Sequence, residues 1–229
     1  EARRTGVNGE KVSMVAAGAL IGGGIFAKIS TAWQFVGDAD SLANLYLYGG
    51  RSVLGGLAGA YLGAEVTKRI VGYRRSTGDL FAPAVAAAMA VGRVGCFLTE
   101  QVGTATSLPW GMTVSAEAAA TIPNCPQCAN GVAMHPSFLY EIAFHVVAFA
   151  VLWRNRGRLA EEGASFKLYL LGYGVFRFAV EFVRGNPIMA GGLTGSQIFL
   201  LITLPFLAAY VARRWRSGAY RLVAQGAPV

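Results

Sequence analysis

Residues 79–98 read Asp-Leu-Phe-Ala-Pro-Ala-Val-Ala-Ala-Ala-Met-Ala-Val-Gly-Arg-Val-Gly-Cys-Phe-Leu. This length matches the roughly 20 residues that an α-helix needs to cross the hydrocarbon core of a bilayer. The many small residues would let neighbouring membrane helices approach closely. The stretch also contains Arg93, and a charge at the bilayer centre costs about 2.5–3.5 kcal/mol on insertion scales. We therefore expect a central membrane helix whose arginine has a specific task.

The rest of the chain is similarly apolar. Of its 229 residues, 54% are hydrophobic and only 14% are charged, whereas soluble domains carry roughly 25% charged residues. This composition predicts an all-α, polytopic bundle of about six spans, formed by 1–229 as a single integral-membrane domain. The apolar stretches run roughly over 12–36, 52–66, 80–99, 137–153, 165–184 and 196–212, and the second is short enough that it could extend back into 45–51.

The positive charges predict the orientation of the spans. Under a six-span model, 15 of the 20 lysines and arginines lie on one side, and cytoplasmic loops carry this excess. Both ends of the chain should therefore be cytoplasmic. The net charge of +8 does not favour nucleic acid binding, because the basic residues recur between apolar stretches and do not cluster on one domain. The clusters are Arg3, Arg4 and Lys11; Lys68, Arg69, Arg74 and Arg75; Arg154, Arg156, Arg158 and Lys167; and Arg213, Arg214, Arg216 and Arg221.

The remaining basic residues lie within spans or at their outer ends, and they are Lys28, Arg51, Arg93, Arg177 and Arg184. In the fifth span, Tyr173, Arg177, Glu181 and Arg184 are spaced by four, four and three residues, so they share one helix face. One interpretation is an Arg177–Glu181 pair that neutralises itself and holds helices together. Two arginines against one glutamate leave a positive remainder, which favours an anionic ligand such as a phosphodiester.

Two further spans carry polar candidates. Gly92 and Gly95 flank Arg93 and would allow a backbone or a ligand to come close. The fourth span opens with His135-Pro-Ser-Phe-Leu-Tyr-Glu141, and Glu141 shares a helix face with His145. By itself His145 is best interpreted as a packing residue.

Five groups of motifs occur in a fixed order over roughly residues 7–212, and together they resemble the prolipoprotein diacylglyceryl transferase family. Each motif is short and weak by itself. The match is specific because all five groups occur in the same order as in the family. They are Gly49-Gly-Arg-Ser-Val-Leu-Gly-Gly56; Asp79 with Ala82-Pro83; Gly92-Arg-Val-Gly-Cys-Phe-Leu98 followed by Leu108-Pro-Trp-Gly111; His135-Pro-Ser-Phe-Leu-Tyr-Glu141; and Gly172-Tyr-Gly-Val-Phe-Arg177 with Val180-Glu-Phe-Val-Arg184.

The resemblance implies a bacterial inner-membrane enzyme of lipoprotein biosynthesis. Such an enzyme transfers the diacylglyceryl group of phosphatidylglycerol to the lipobox cysteine thiol of a preprolipoprotein and releases glycerol 1-phosphate. Its partners are phosphatidylglycerol, other membrane lipids and the preprolipoprotein, and it needs no cofactor or metal. The family has seven spans with a cytoplasmic C-terminus, so we expect one more helix upstream of Glu1. The oligomeric state is left open.

The resemblance also assigns roles to residues. A phosphate leaving group needs positive charge where negative charge develops, and the guanidinium fork suits phosphate oxygens. The catalytic candidates are Arg93, Arg177, Tyr173, Glu100 and His135. The substrate-binding candidates are Gly92, Gly95, Cys96, Ser52, Tyr140, Glu141, Glu181 and Arg184.

The chain departs from the family pattern at three places. Leu54 stands where the family has a histidine, Cys96 replaces an asparagine, and residues 98–103 are one residue shorter. The missing histidine leaves Glu100, His135 or Tyr173 as candidate proton acceptors. Alternatives are a glycerolipid transferase with a different acceptor and a non-catalytic lipid-binding subunit. A transporter is disfavoured because no internal repeat is visible.

The predicted outer, periplasmic-side loop region, 100–136, contains Cys125-Pro-Gln-Cys128. On an oxidising side of the membrane, two such cysteines favour a small disulfide loop over a redox-active pair. A third interpretation is half of a metal site formed with His135, but only two cysteines and one histidine are available there, which disfavours zinc. Cys96 is a further possible partner for either cysteine.

Overall fold

A computed structural model of the chain describes residues 9–32, 52–99, 103–121, 128 and 131–223. These residues form helices joined by turns and one short hairpin, which confirms the predicted all-α class. The helices are α1 (Gly9–Ala32), α2 (Val53–Ile70), α3 (Gly78–Thr99), α4 (Ala116–Thr121), α5 (Ser137–Arg154), α6 (Ala164–Val180) and α7 (Gly195–Arg216). A 3₁₀ turn, Glu181–Val183, follows α6, and β1 (Ile188–Ala190) pairs antiparallel with β2 (Leu193–Thr194).

Each of the six predicted spans coincides with one long helix. Among the described residues, α1, α3, α5 and α7 are long and apolar enough to cross a membrane. The other two are weaker candidates, because α2 carries Glu65, Lys68 and Arg69 and α6 has only 17 residues before its 3₁₀ turn. The molecule is a multi-pass membrane protein.

Two helix boundaries differ from the predicted ones for clear local reasons. Ser52 caps α2, accepting a hydrogen bond from the Gly55 amide at 3.1 Å, so this helix begins at Val53 and runs on to Ile70. The extension of the span into 45–51 lies outside the described residues. The fifth span ends in 3₁₀ geometry, and Gly185 then adopts a positive φ of 73° just before Pro187. A left-handed glycine followed by proline is a strong stop for a helix.

The chain forms two compact units, Glu1–Arg75 and Ser76–Val229. In the first, α1 and α2 pack against each other through glycines. A Cβ atom added to Gly22 would overlap the Gly59 carbonyl oxygen, and one added to Gly63 would overlap that of Gly18. Each helix presents its glycines at four-residue spacing, which places them on one face and allows the backbones to touch. The predicted single domain stays a prediction.

In the second unit, α3 packs against α5 and α6, and α6 packs against α7. The interior is unusually polar for so apolar a chain. On α6, Tyr169, Tyr173 and Arg177 follow one another at four-residue spacing and all are buried. Many large aliphatic side chains instead point outward, as expected of helices that face lipid.

The start of α6 is anchored by carboxylates from elsewhere in this unit. Asp79 accepts hydrogen bonds from the Gly163 and Ser165 amides at 2.6 and 2.8 Å. Burial would raise the pKa of Glu161, but hydrogen bonds from Arg214 and Lys167 outweigh the burial and hold that pKa below its usual value. These contacts tie α3, α6 and α7 together at one end.

Candidate active site

The centre of the candidate site is Glu141, in the first turns of α5. Its side chain is fully buried, with Oε2 2.6 Å from Arg93 Nε and Oε1 2.5 Å from Arg184 Nη1. Arg93 comes from α3 and Arg184 follows the 3₁₀ turn after α6. One carboxylate therefore joins three parts of the fold, and a buried charge is stable only with such partners.

Phe138, one turn before Glu141, packs its ring against the guanidinium groups of Arg93 and Arg184. Its ring lies 4.6 Å from the Arg184 guanidinium carbon and 5.9 Å from that of Arg93. Both distances are within the range of a cation–π interaction. The ring is buried, so it holds the two guanidinium groups in place without neutralising them.

A second buried carboxylate, Glu181, is paired with Arg177 one turn earlier. Glu181 also accepts hydrogen bonds from Thr194 Oγ1 at 2.7 Å and Asn186 Nδ2 at 2.8 Å. The self-neutralising Arg177–Glu181 pair considered in the sequence is thus present. It also fastens the segment after α6 to the start of α7, where Thr194 forms a capping box with Gln197.

Tyr173 lies between the two carboxylate systems. Its hydroxyl is 3.5 Å from Arg93 Nη2 and 3.4 Å from Glu141 Oε2. The ring packs against His145, with centroids 4.7 Å apart, and stacks with Tyr169 at 6.3 Å. Tyr169 also contacts His145, with its hydroxyl 3.1 Å from Nδ1. These aromatic neighbours hold the Tyr173 hydroxyl inside the charged cluster.

The charges of this cluster do not cancel. Three guanidinium groups, those of Arg93, Arg177 and Arg184, face two carboxylates, those of Glu141 and Glu181. All five side chains are at most 9% exposed. Counted over the described residues, a single positive charge therefore remains in a buried setting, which suits an anionic group more than a neutral one.

The segment before α5 is hydrogen-bonded to the turn that ends at Arg184. Thr104 joins two neighbours, because its amide donates to the Val183 carbonyl and its carbonyl accepts from the His135 amide, each at 2.9 Å. A Cβ atom at Gly103 would come within 2.6 Å of the His135 carbonyl oxygen. The side chain of His135 reaches Tyr140, whose hydroxyl lies 3.2 Å from Nδ1.

Of the remaining residues predicted from the sequence, some lie beside Arg93, one lies in the other unit and two are not described. Cys96 Sγ lies 3.9 Å from Arg93 Nη1, and a Cβ atom at Gly92 or Gly95 would meet nothing within 4 Å. Ser52 belongs to the other unit, as the cap of α2. Glu100 and Cys125 lie outside the described residues. Cys128 is disulfide-bonded and packs on Met134. Because Cys125 is not described, the pairing of these two cysteines stays a prediction.

Some contributors to the site were not predicted from the sequence. Phe138 is an apolar residue within a motif, and only its contacts reveal its place under two arginines. Thr194 had a detectable signal, because Thr-x-x-Gln is a capping-box pattern. Asn186 had no such signal. Tyr169 could have been found by extending the four-residue spacing of Tyr173 and Arg177 one turn back.

Comparisons with known proteins agree on one family. The family model described as prolipoprotein diacylglyceryl transferase matches residues 1–213. Three proteins named phosphatidylglycerol–prolipoprotein diacylglyceryl transferase are similar to the chain. That of Cupriavidus necator is 35% identical over 69% of the chain and 58% of its own length; that of Cereibacter sphaeroides, 40% over 62% and 54%; and that of Rhodococcus jostii, 30% over 85% and 59%. The chain thus spans less than two thirds of the length of these curated relatives.

Proposed function

The chain belongs to the prolipoprotein diacylglyceryl transferase family, and we propose that it transfers the diacylglyceryl group of phosphatidylglycerol to the cysteine thiol of a preprolipoprotein. The names of its relatives support this donor and this acceptor. The observation that carries the proposal is the buried cluster with three guanidinium groups and two carboxylates. Such a cluster offers a desolvated positive charge to a phosphate.

The proposed reaction balances as a displacement at carbon. The sulfur of the acceptor cysteine forms a bond to the terminal glyceryl carbon, and the bond from that carbon to the phosphate oxygen breaks. The products are a thioether and glycerol 1-phosphate, and the thiol proton passes to a base. Negative charge grows on the phosphate as it leaves, so Arg93 and Arg177 would stabilise the transition state more than the substrate.

Tyr173 is the proton-transfer candidate that lies within this cluster. Its hydroxyl is 3.5 Å from Arg93 Nη2 and 3.4 Å from Glu141 Oε2. The carboxylate accepts the hydroxyl hydrogen and the guanidinium group donates to the hydroxyl oxygen, so the group that would transfer a proton is held in a fixed orientation. This pair would replace the histidine of the family pattern, at whose position Leu54 stands.

The substrates suggest where the site lies. Phosphatidylglycerol and a membrane-tethered cysteine both present their reactive atoms at headgroup level. We place the cluster near the outer leaflet of the bacterial inner membrane and the C-terminus in the cytoplasm, because the basic clusters lie at the opposite ends of the spans. Glycines with open space beside them flank Arg93 and would admit a lipid headgroup.

One assay tests the function. The purified protein, in nanodiscs, receives phosphatidylglycerol labelled in its diacylglycerol part, with and without a lipobox peptide. Peptide-dependent appearance of labelled thioether together with glycerol 1-phosphate is the expected result. Label on a different small acceptor would instead support a related transferase. Bound lipid with neither product would support a non-catalytic lipid-binding subunit and contradict the proposal.

A further inference from the structure

A chain of two hydrogen bonds leads from the segment before α4 to His135. Trp110 Nε1 lies 2.8 Å from the Tyr140 hydroxyl oxygen, and the same oxygen lies 3.2 Å from His135 Nδ1. The Trp110 indole is 55% exposed, whereas Tyr140 and His135 are half-buried. Trp110 and Tyr140 have no part in the charged cluster itself, so their arrangement calls for a separate explanation.

The donor in each of the two hydrogen bonds can be assigned from the hydrogen atoms that each group carries. An indole N–H can only donate, so the Tyr140 oxygen accepts from Trp110. The hydroxyl has one hydrogen left to donate, and His135 Nδ1 is the acceptor within reach among the described residues. A neutral imidazole whose Nδ1 accepts a hydrogen bond carries its own hydrogen on Nε2. With the indole donating to the Tyr140 oxygen, the arrangement that also uses the hydroxyl hydrogen is the one in which His135 Nδ1 accepts.

The position of the imidazole is fixed as well as its proton. The His135 amide donates to the Thr104 carbonyl at 2.9 Å, and its carbonyl accepts from the Ser137 amide at 2.8 Å. The rings of His135 and Tyr140 meet edge to face, with centroids 6.1 Å apart. Backbone and ring are thus held from both sides, which leaves little freedom for the imidazole to turn over.

We propose that Trp110 and Tyr140 are positioning residues that keep neutral His135 as a hydrogen-bond donor through Nε2. The lone pair of Nδ1 is occupied and Nε2 carries hydrogen, so His135 does not take the proton of the acceptor thiol. Its available group is the Nε2–H, which can donate to an acceptor oxygen. That this oxygen belongs to a lipid or peptide substrate rests on the proposed function, but the tautomer does not.

The tautomer can be measured directly, because the chain has only two histidines, His135 and His145. The protein, labelled with ¹⁵N-histidine and held in nanodiscs at a pH where imidazole is neutral, is studied by NMR. A His135→Gln variant assigns the signals. We expect an unprotonated Nδ1 and a protonated Nε2 for His135. A protonated Nδ1 would overturn the proposal.

Two variants test the chain of bonds. Tyr140→Phe removes the donor to Nδ1, and Trp110→Phe lets the Tyr140 oxygen accept from Nδ1–H, so the second tautomer should appear in both. The signals of His145 provide an internal control, since its Nδ1 is bonded to Tyr169. Trp215→Phe, at an exposed indole on α7, should leave His135 unchanged. If His135 keeps its tautomer in Tyr140→Phe or Trp110→Phe, that residue has no positioning role.

The same variants separate this inference from the proposed function. In the lipid-transfer assay, Tyr140→Phe should lower kcat/KM about tenfold, the loss expected when one donor is misplaced. A protein with the expected tautomer but no transfer would refute the proposed function and leave the positioning role standing. An active protein whose His135 carries hydrogen on Nδ1 would refute the positioning role alone.

Discussion

Glu141 of α5 and Arg93 of α3 form an ion pair of 2.6 Å in which both side chains are almost fully buried. Replacing Glu141 by glutamine would leave Arg93 and Arg184 without their shared counter-ion. Removal of one partner from a buried ion pair destabilises a protein by about 3–5 kcal/mol. We expect Glu141→Gln to lower the free energy of unfolding in micelles by that amount, whereas the exposed Glu117→Gln should change little. Equal stability of the two variants would show that Glu141 is not the counter-ion.

Arg93→Lys tests geometry separately from charge. Arginine reaches Glu141 and Tyr173 at once through different nitrogens, whereas lysine offers a single ammonium group. The loss of one charge-assisted hydrogen bond predicts a fall of about tenfold to a hundredfold in kcat/KM for lipid transfer. Arg216→Lys, on the exposed end of α7, is the matched control and should transfer lipid normally. Normal transfer by Arg93→Lys would remove Arg93 from the reaction.

The contact of α1 with α2 predicts that two neighbouring glycines differ sharply. Gly22→Ala would push a methyl group into the Gly59 carbonyl, whereas a Cβ atom at Gly24 meets nothing within 4 Å. Overpacking of this kind costs about 1–3 kcal/mol. Thermal unfolding in nanodiscs should therefore show a lower midpoint for Gly22→Ala and an equal or higher midpoint for Gly24→Ala, because alanine favours the helix. The reverse order would contradict the packing of the two helices.

The cluster of Glu161 with Arg214 and Lys167 predicts a dependence of stability on pH. The folded-state pKa of Glu161 lies below its usual value, so its contribution is complete above the usual glutamate pKa. The contribution is lost as the pH falls through the lowered value. Glu161→Gln should therefore be less stable than the native protein at neutral pH and equally stable in acid. A stability difference that persists unchanged into acid would refute this assignment.

Much of this architecture could be predicted from the amino-acid sequence because lipid makes simple demands. A span must be apolar and about 20 residues long, and basic residues stay on the cytoplasmic side. Every predicted span therefore coincides with a helix. The face shared by Tyr173, Arg177 and Glu181 was also predictable, since four-residue spacing needs no knowledge of neighbours.

The pairing of the charges could not be predicted in the same way. Spacing placed Arg184 on one helix face with Glu181, but its closest carboxylate among the described residues is that of Glu141 on another helix, at 2.5 Å compared with 3.8 Å. The change from α to 3₁₀ geometry after Val180 turns Arg184 toward α5. A tertiary contact of this kind depends on where a helix stops, and helix ends are the least certain part of a sequence pattern.

The absent side chain of Gly103 has a mechanical consequence. The backbone there is wedged against His135, and the next residue is bonded to both His135 and Val183. Because there is no room for even a methyl group at Gly103, the three chain segments cannot slide past one another. We therefore expect a displacement of the segment carrying Trp110 to move the start of α5 and the turn that ends at Arg184 with it, which joins the hydrogen bonds around His135 to the charged cluster.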